Sequence, residues 1–254
     1  MQMTNSVKQT LRDGGTALGV FVPLPSPDVV EICALAGFDF VMLDAEHGRI
    51  DPETAYPMIL AAEARGVPVL ARVGENDRQV ILKYLDLGIA GVMIPRTDTP
   101  EQVAEAVRSM RYHPHGHRGL AGGRTFDYAM GPPAKELVPQ INDRVLAIAQ
   151  FENAASVDDL EAILATDGLD VLFVGPNDLA QSLGYPGQPT HPEVQSFIDR
   201  LCAAARGGPV ALGTVAGDIA AVNQQLERGF RMIVASAPAL LARAARELVT
   251  GVTR

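Results

Sequence analysis

The stretch PVLARVGENDRQVILKYLDLGIAGVMI, residues 68–94, contains the unit that decides the fold. Two short apolar runs flank a segment whose apolar residues recur at helical spacing, and Gly88 follows the last turn of that segment. Continuous apolar runs of this length are typical of strands that are buried on both faces. A glycine directly after a helical segment is typical of a C-cap. The stretch therefore predicts a strand, a helix and a second, parallel strand.

The same unit recurs along the whole chain. Eight apolar runs are bounded by glycines or turn residues: ALGVFVPL, FDFVMLD, VPVLARV, IAGVMIP, VLAIAQFE, LDVLFVGP, PVALGTVAG and FRMIVASA. Segments between them open with helix-start signals, such as Ser26 as N-cap followed by Pro27. Eight strand–helix units in 254 residues predict an α/β fold, a (β/α)8 TIM barrel that occupies residues 1–254 as a single domain. An open doubly wound sheet fits less well, because it uses fewer strands and carries a glycine fingerprint after the first one.

Two connections are longer than is usual in such a barrel. One covers about residues 112–143, and the other is SLGYPGQPTHPEV after the sixth strand. Long connections in a compact barrel are more often lids or subunit contacts than disordered segments. We therefore expect both to be ordered.

Composition excludes several classes of partner. The formal net charge is −9 and no basic stripe is present, which argues against nucleic acid. No run reaches the roughly 18 apolar residues of a membrane helix, and the polar N-terminus lacks an apolar signal core. Cys33 and Cys202 lie far apart in apolar helical segments. They are expected to be core thiols in a reducing cytoplasm, not a disulfide.

Unusual polar residues follow four of the predicted strands. They are Asp44, Glu46 and His47 after strand two, Arg72 at the end of strand three, Gln150 and Glu152 at strand five, and Asn177 and Asp178 at strand six. The chemistry of a (β/α)8 barrel lies at the carboxyl ends of its strands. We therefore expect these side chains to converge on one mouth of the barrel.

Two carboxylates on adjacent strand ends, Glu152 and Asp178, suit a hard divalent cation or acid–base work. Mg²⁺ or Mn²⁺, completed by water and substrate oxygens, fits two acids without a nearby histidine better than zinc does. The other interpretation is structural: a salt bridge, or a helix cap formed by Asp178.

The cluster after strand two suggests a general base. An acid such as Asp44 orients an imidazole such as that of His47 and raises its basicity, although a loop histidine at this spacing, taken alone, more often makes an ordinary polar contact. Arg72 ends an apolar strand, where a guanidinium needs an anion: the substrate, or a salt bridge to Glu46 or Asp44. The chain has three lysines, none at a strand end: Lys8, Lys83 and Lys135. A Schiff-base mechanism, which needs a lysine in the mouth, is therefore disfavoured.

The segment RYHPHGHRGLAGGRTFDY places three histidines at alternate positions: His113, His115 and His117. Alternate histidines resemble a metal site, but no acid or cysteine stands beside them in the segment. A long loop rich in Pro and Gly is more typical of a solvated or interface position. We therefore assign these histidines no metal.

Several motifs, in order and at strand ends, resemble one known family. They are FVMLDAEHG, ARV, GVMIPRTDTPEQVAEAV, HRG, AQFEN and VGPNDLAQSLG. From about residue 17 to 240 the chain is similar to the HpcH/HpaI family of metal-dependent pyruvate aldolases, which includes 2-dehydro-3-deoxyglucarate and 4-hydroxy-2-oxoheptanedioate aldolases. The resemblance implies a barrel of the phosphoenolpyruvate/pyruvate type. It also implies a homohexamer in which the C-terminal helix is exchanged between subunits.

The implied activity is that of a class II aldolase. It cleaves a 4-hydroxy-2-oxo acid reversibly to pyruvate, or to a close analogue such as hydroxypyruvate, and an aldehyde through a metal-stabilised enolate. The implied cofactor is Mg²⁺, Mn²⁺ or Co²⁺, with no organic cofactor. By resemblance, Glu152 and Asp178 hold the metal, Gln150 and Asn177 hold the substrate, and Arg72 also contacts it and stabilises the enolate oxygen.

The resemblance further implies that His47 is the base, with Asp44 as its partner, and that Asp86 tunes that histidine. The chain departs from the family pattern after HRG, where it reads LAGGRTFDY. Arg124 in that segment raises the hypothesis of a preference for an acidic or polyhydroxylated aldehyde.

Three other functions fit parts of the same pattern. A citrate lyase β-like carbon–carbon lyase would act on an acyl-CoA, although no basic patch for the CoA diphosphate is evident. A barrel isomerase would bind phosphate through GTVAGD or VASAPA, which match its glycine-rich loop only weakly. A non-catalytic binding barrel would not need the converging polar residues.

Overall fold

A computed structural model describes residues 5–253 of the chain. Eight strands form a closed barrel in which every neighbouring pair is parallel and the last strand pairs with the first. They are β1 (Ala17–Val22), β2 (Phe40–Asp44), β3 (Val69–Arg72), β4 (Gly91–Ile94), β5 (Leu146–Phe151), β6 (Val171–Val174), β7 (Ala211–Val215) and β8 (Met232–Ser236). Each lies within one of the eight apolar runs, so the predicted (β/α)8 barrel is confirmed.

The helices of the described residues lie between and outside the strands. They are α1 (Ser6–Arg12), α2 (Pro27–Leu35), α3 (Pro52–Ala64), α4 (Arg78–Asp86), α5 (Pro100–Met110), α6 (Ala134–Arg144), α7 (Leu160–Leu164), α8 (Pro176–Ser182), α9 (Pro192–Ala205), α10 (Ile219–Arg228) and α11 (Ala237–Gly251). Ser26 caps α2 as expected, because its side chain accepts a hydrogen bond from the backbone N–H of Val29 at 3.3 Å. No helix among residues 5–253 has the length and hydropathy needed to span a membrane.

Side chains fill the barrel, so it has no pore. Large residues from five of the strands pack inside it: Phe40, Met42, Leu70, Met93, Phe173 and Met232. Gly19 of β1 makes room for this packing, because a Cβ atom there would lie 2.2 Å from the ring of Phe40. A solid interior leaves ligands only the two ends of the barrel.

Helix α1 lies across the amino ends of the strands. The amide of Asn5 donates hydrogen bonds to the carbonyls of Ala90 and Arg144, at 2.9 and 2.8 Å. Lys8 is buried there, and its Nζ donates to the carbonyl of Val145 and to Asp170 Oδ2, both at 2.8 Å. Burial lowers the pKa of Lys8 to about 8. Lys8, one of the three lysines, thus stabilises the fold at the end of the barrel opposite the predicted mouth.

Replacing Lys8 by Ala is expected to lower the free energy of unfolding by about 3 kcal/mol, because it removes one partner of a buried ion pair. The matched control is Arg12→Ala in the same helix, whose pair with Asp143 leaves the two side chains 47% and 67% exposed. That change should cost less than about 1 kcal/mol. Urea unfolding of the two variants measures the difference, and equal losses would contradict the buried role of Lys8.

The connection expected at residues 112–143 is only partly a loop. It contains a 3₁₀ segment, Arg124–Ala129, and most of helix α6, so the chain enters β5 from a helix. The predicted core thiols are confirmed, since Cys33 and Cys202 are both buried and free. Burial raises the pKa of each thiol.

Candidate active site

The residues at the ends of β2 and β3 form one charged group. Asp44 and Arg72 are the last residues of neighbouring strands and stand in register. Arg72 Nε donates to Asp44 Oδ1 at 3.0 Å, and Nη2 donates to Oδ2 at 2.6 Å. The guanidinium carbon also lies 4.6 Å from the centre of the Phe21 ring. Two parallel hydrogen bonds and a ring below it hold this guanidinium in one orientation.

Asp44 also accepts hydrogen bonds from the turn that follows β2. Its Oδ1 accepts from the backbone N–H of Glu46 at 3.2 Å and of His47 at 3.1 Å. The imidazole of His47 contacts a different acid, since its Nε2 lies 3.9 Å from Glu46 Oε2. The expected Asp44–His47 side-chain pair is therefore not what the structure shows. The carboxylate of Asp44 accepts hydrogen bonds from the guanidinium of Arg72. Asp44 contacts His47 only through the backbone N–H of the histidine.

Glu46 lies between the arginine and the histidine. Its Oε2 is 3.4 Å from Arg72 Nε, is buried, and makes no hydrogen bond. Burial raises the pKa of this carboxyl, and the nearby charge of Arg72 opposes that rise. The sequence places Glu46 in the polar cluster, but its contact with both neighbours follows only from the fold.

The ends of β5 and β6 form the other half of the site. Gln150 is 1% exposed, its Nε2 donates to Glu152 Oε1, and its Oε1 is buried without a partner. Gly175, which follows β6, leaves space above these residues. A Cβ atom at Gly175 would lie 3.3 Å from Asp178 Oδ2, 3.3 Å from Gln150 Nε2 and 3.6 Å from Glu152 Cγ. The two acids and the amide therefore surround one small space.

Burial raises the pKa of Glu152 to about 7, and the negative charges of Asp178 and Glu46 add to the rise. Asp178 lies in the first turn of α8, whose N-cap is Gly175, so the helix-cap interpretation of this acid is wrong. Carboxylates that repel each other in a confined space favour a cation between them. A cradle of two acids and an amide oxygen without a partner fits a hard divalent cation.

Other donors at this cradle are few. Within residues 5–253, no group of three or more His, Cys, Asp or Glu side chains is arranged to hold a metal. A cation held by Glu152 and Asp178 would need oxygens from water or substrate to complete its coordination. Asn177 lies beside them on the first turn of α8, and its side chain is exposed.

Two residues from the sequence analysis lie elsewhere in the chain. Asp86 ends α4, and its Oδ1 accepts a hydrogen bond from Arg118 Nη2 at 2.9 Å. Arg124 Nη1 donates to Glu63 Oε1 and to the carbonyl of Leu87, each at 2.9 Å. Arg118 and Arg124 line a cavity of about 270 Å³ at the amino ends of the strands. Within one chain, therefore, Asp86 does not reach His47 and Arg124 does not reach the mouth.

The alternate histidines of the long connection form no common site. His117 Nε2 lies 3.1 Å from Glu105 Oε1 and 3.3 Å from Ser109 Oγ, so this ring pairs with helix α5. His113 and His115 are exposed.

One residue at the mouth was missed. Arg96 follows β4, and its backbone N–H donates to Glu152 Oε2 at 3.3 Å. The rule that selected the ends of the other strands, applied to GVMIPR, would have selected it. The mouth thus combines Arg72, at the end of β3, with acids at the ends of β2, β5 and β6 and with Arg96 as an additional cation.

Known proteins are similar in sequence to this chain along most of its length. The hydroxypyruvate/pyruvate aldolase of Chromohalobacter salexigens is 35% identical over 251 residues, 98% of this chain and 98% of that protein. The 5-keto-4-deoxy-D-glucarate aldolase of Klebsiella pneumoniae is 36% identical over 225 residues, 89% of this chain and 87% of that protein.

A crystal structure extends the similarity to three dimensions. An HpcH/HpaI aldolase/citrate lyase family protein from Burkholderia cenocepacia superposes with a TM-score of 0.92 at 37% identity, covering 98% of this chain and 99% of that one. The sequence profile of the HpcH/HpaI aldolase/citrate lyase family matches residues 17–240. The chain belongs to the HpcH/HpaI aldolase/citrate lyase family.

Proposed function

We propose that this protein is a divalent-metal-dependent aldolase. It cleaves a 4-hydroxy-2-oxo acid reversibly to pyruvate, or to a close analogue such as hydroxypyruvate, and an aldehyde. One observation carries the proposal: the acid cradle formed by Glu152 and Asp178 lies at the same mouth of the barrel as the fixed guanidinium of Arg72. Relatives that share about a third of their residues over most of the chain bear aldolase names.

In this proposal Glu152 and Asp178 hold Mg²⁺, Mn²⁺ or Co²⁺. When bound, such an ion supplies Lewis acidity that polarises the 2-keto oxygen of the substrate. Gln150 contacts the substrate, since its buried amide oxygen has no partner among the described residues. Asn177, on the same rim, contacts the substrate carboxylate. No organic cofactor is required, because the carbonyl itself accepts the electron pair.

In this reaction Arg72 stabilises the developing negative charge and His47 transfers the protons. Cleavage removes the proton of the 4-hydroxyl and breaks the C3–C4 bond, and the electron pair moves onto the C2 oxygen. Arg72 stabilises the negative charge that develops there, because Asp44 fixes its guanidinium in advance. His47 receives the hydroxyl proton and returns a proton to C3. Its imidazole is 65% exposed and lies beside Glu46, which positions it.

Metal affinity is expected to rise about tenfold between pH 6 and pH 8 and then to level off. The pKa of Glu152 without metal is about 7, so a cation displaces a proton from this carboxyl below that pH. Calorimetric titration with Mn²⁺ in two buffers of different ionisation enthalpy would measure the released proton. An affinity that does not change over this range would contradict the role of Glu152.

The test of the function is release of pyruvate from racemic 4-hydroxy-2-oxovalerate. We expect activity that EDTA abolishes and that Mg²⁺ or Mn²⁺ restores. Activity that survives EDTA would overturn the roles given to Glu152 and Asp178. An acyl-CoA arm of the same assay tests the citrate lyase β-like alternative, which the family description also covers.

We also propose that the protein is a homo-oligomer, a hexamer by resemblance, and that it acts in the cytoplasm. Apolar side chains on helix α11 are exposed, with Leu241 66% and Leu248 71% accessible. A second copy that covers α11 would bury them, and helix exchange is the proposed form of the contact. Asp86, which does not reach His47 within one chain, can tune this histidine only across a contact between subunits. Light scattering that finds a monomer would overturn this assembly.

A further inference from the structure

Arg96 has an unusual backbone. Its φ angle is 53°, in the left-handed region that residues with a Cβ atom rarely adopt. This conformation presents its N–H to Glu152 Oε2. Glycine would present the same N–H with less steric cost. The backbone contact by itself therefore does not account for an arginine at this position.

The guanidinium of Arg96 is an available cation beside the acid cradle. Its side chain is exposed, and Nη2 donates to the carbonyl of Gly74 in the loop after β3. Among residues 5–253, no carboxylate forms an ion pair with it, whereas Arg72 is held by Asp44 and is 11% exposed. A guanidinium that is held by a carbonyl and keeps its other donors free is suited to bind an anion.

Arg96 also lines a cleft beside the acid cradle. The cleft has a volume of about 430 Å³ and is formed by Gly74, Glu75, Asn76, Pro95 and Arg96. Its walls come from the loops after β3 and β4, and the Arg96 backbone joins it to Glu152. A substrate whose 2-oxo acid end lies at Glu152 and Asp178 therefore has this cleft available for its other end.

We propose that Arg96 is a specificity-determining residue that binds a carboxylate at the far end of the substrate. The proposal rests on the aldolase function above and names its substrate class: 4-hydroxy-2-oxo dicarboxylates, which release an anionic aldehyde. Glu75 stands in the same cleft without pairing with Arg96, so a singly charged carboxylate suits the cleft better than a doubly charged phosphate.

Binding of two unreactive analogues tests this directly. 2-Oxoadipate and 2-oxohexanoate have the same chain length and differ in the far-end carboxylate. In calorimetric titrations of the full-length protein with Mg²⁺, we expect 2-oxoadipate to bind about tenfold more tightly. Arg96→Gly keeps the backbone N–H and suits φ 53°, so it should fold and bring the two affinities to about the same value. Arg96→Lys should retain part of the preference.

The matched control is Arg49→Gly, which removes another exposed arginine, in the loop after β2, that has no ion pair within the described part of the chain. It should keep the preference for 2-oxoadipate. A wild-type protein without that preference, a preference that survives Arg96→Gly, or one that Arg49→Gly also removes would overturn the inference. Because binding needs no turnover, a protein that shows the Arg96-dependent preference but cleaves no 4-hydroxy-2-oxo acid would overturn only the proposed function.

Discussion

Glu152→Gln is expected to lower kcat for pyruvate release by roughly 10³-fold, because the change removes one of the two charges proposed to hold the cation. The substitution keeps the shape of the side chain. Gln150 and the backbone of Arg96, which donate to the carboxylate, retain a neighbour of the same size. The fold should therefore survive, and circular dichroism with thermal unfolding would check it.

The loss should have a second signature that separates it from misfolding. Calorimetric titration of Glu152→Gln with Mn²⁺ should show much weaker binding and no pH-dependent proton release, because the titrating carboxyl is gone. The matched control is Asp158→Asn, an exposed acid in the segment that follows β5. It should bind Mn²⁺ and turn over like the wild type. Wild-type metal affinity in Glu152→Gln would contradict the assigned cradle.

Arg72→Lys is expected to lower kcat by about 10²-fold while leaving the protein folded. The lysine keeps a positive charge beside Asp44 and Glu46, so neither buried acid loses its counter-charge. An ammonium cannot reproduce the two parallel hydrogen bonds that fix the guanidinium, and the charge aimed at the substrate oxygen becomes misplaced. Steady-state kinetics of pyruvate release would measure the effect, and the loss should fall on kcat more than on KM.

Arg49→Lys provides the comparison for this arginine. Arg49 is exposed in the loop after β2 and forms no ion pair with another residue in the range 5–253, so its replacement should leave kcat within about twofold of the wild type. An Arg72→Lys enzyme with more than half of the wild-type kcat would show that the guanidinium does not stabilise charge during cleavage.

Several members of the site could be predicted from local sequence. Arg72 and Gln150 were selected because they end apolar runs, and parallel strands bring such ends to one edge of a barrel. The same rule extends to Arg96, which follows β4 after a proline. Its importance depends on a left-handed backbone and on contacts with Glu152 and Gly74, and neither is visible in the sequence.

Two side chains have partners that sequence spacing does not indicate. Asp44 and His47 are three positions apart, yet the carboxylate of Asp44 faces Arg72 on the next strand. Arg124 follows a motif of the family, yet it pairs with Glu63 at the amino ends of the strands. In each case the partner comes from a different strand–helix unit.

By itself, the sequence determined the eight strands, their order around a closed barrel and the polar residues at their carboxyl ends. These follow from local hydrophobic periodicity and from the geometry of parallel strands, which do not require long-range information. Only the tertiary structure decided which charges neutralise each other and which remain for a ligand. That outcome depends on separations of a few ångströms between side chains of different strands, such as the 2.6 Å that joins Arg72 Nη2 to Asp44 Oδ2. The electrostatic energy of such a pair varies with distance and burial, and neither is encoded in sequence spacing.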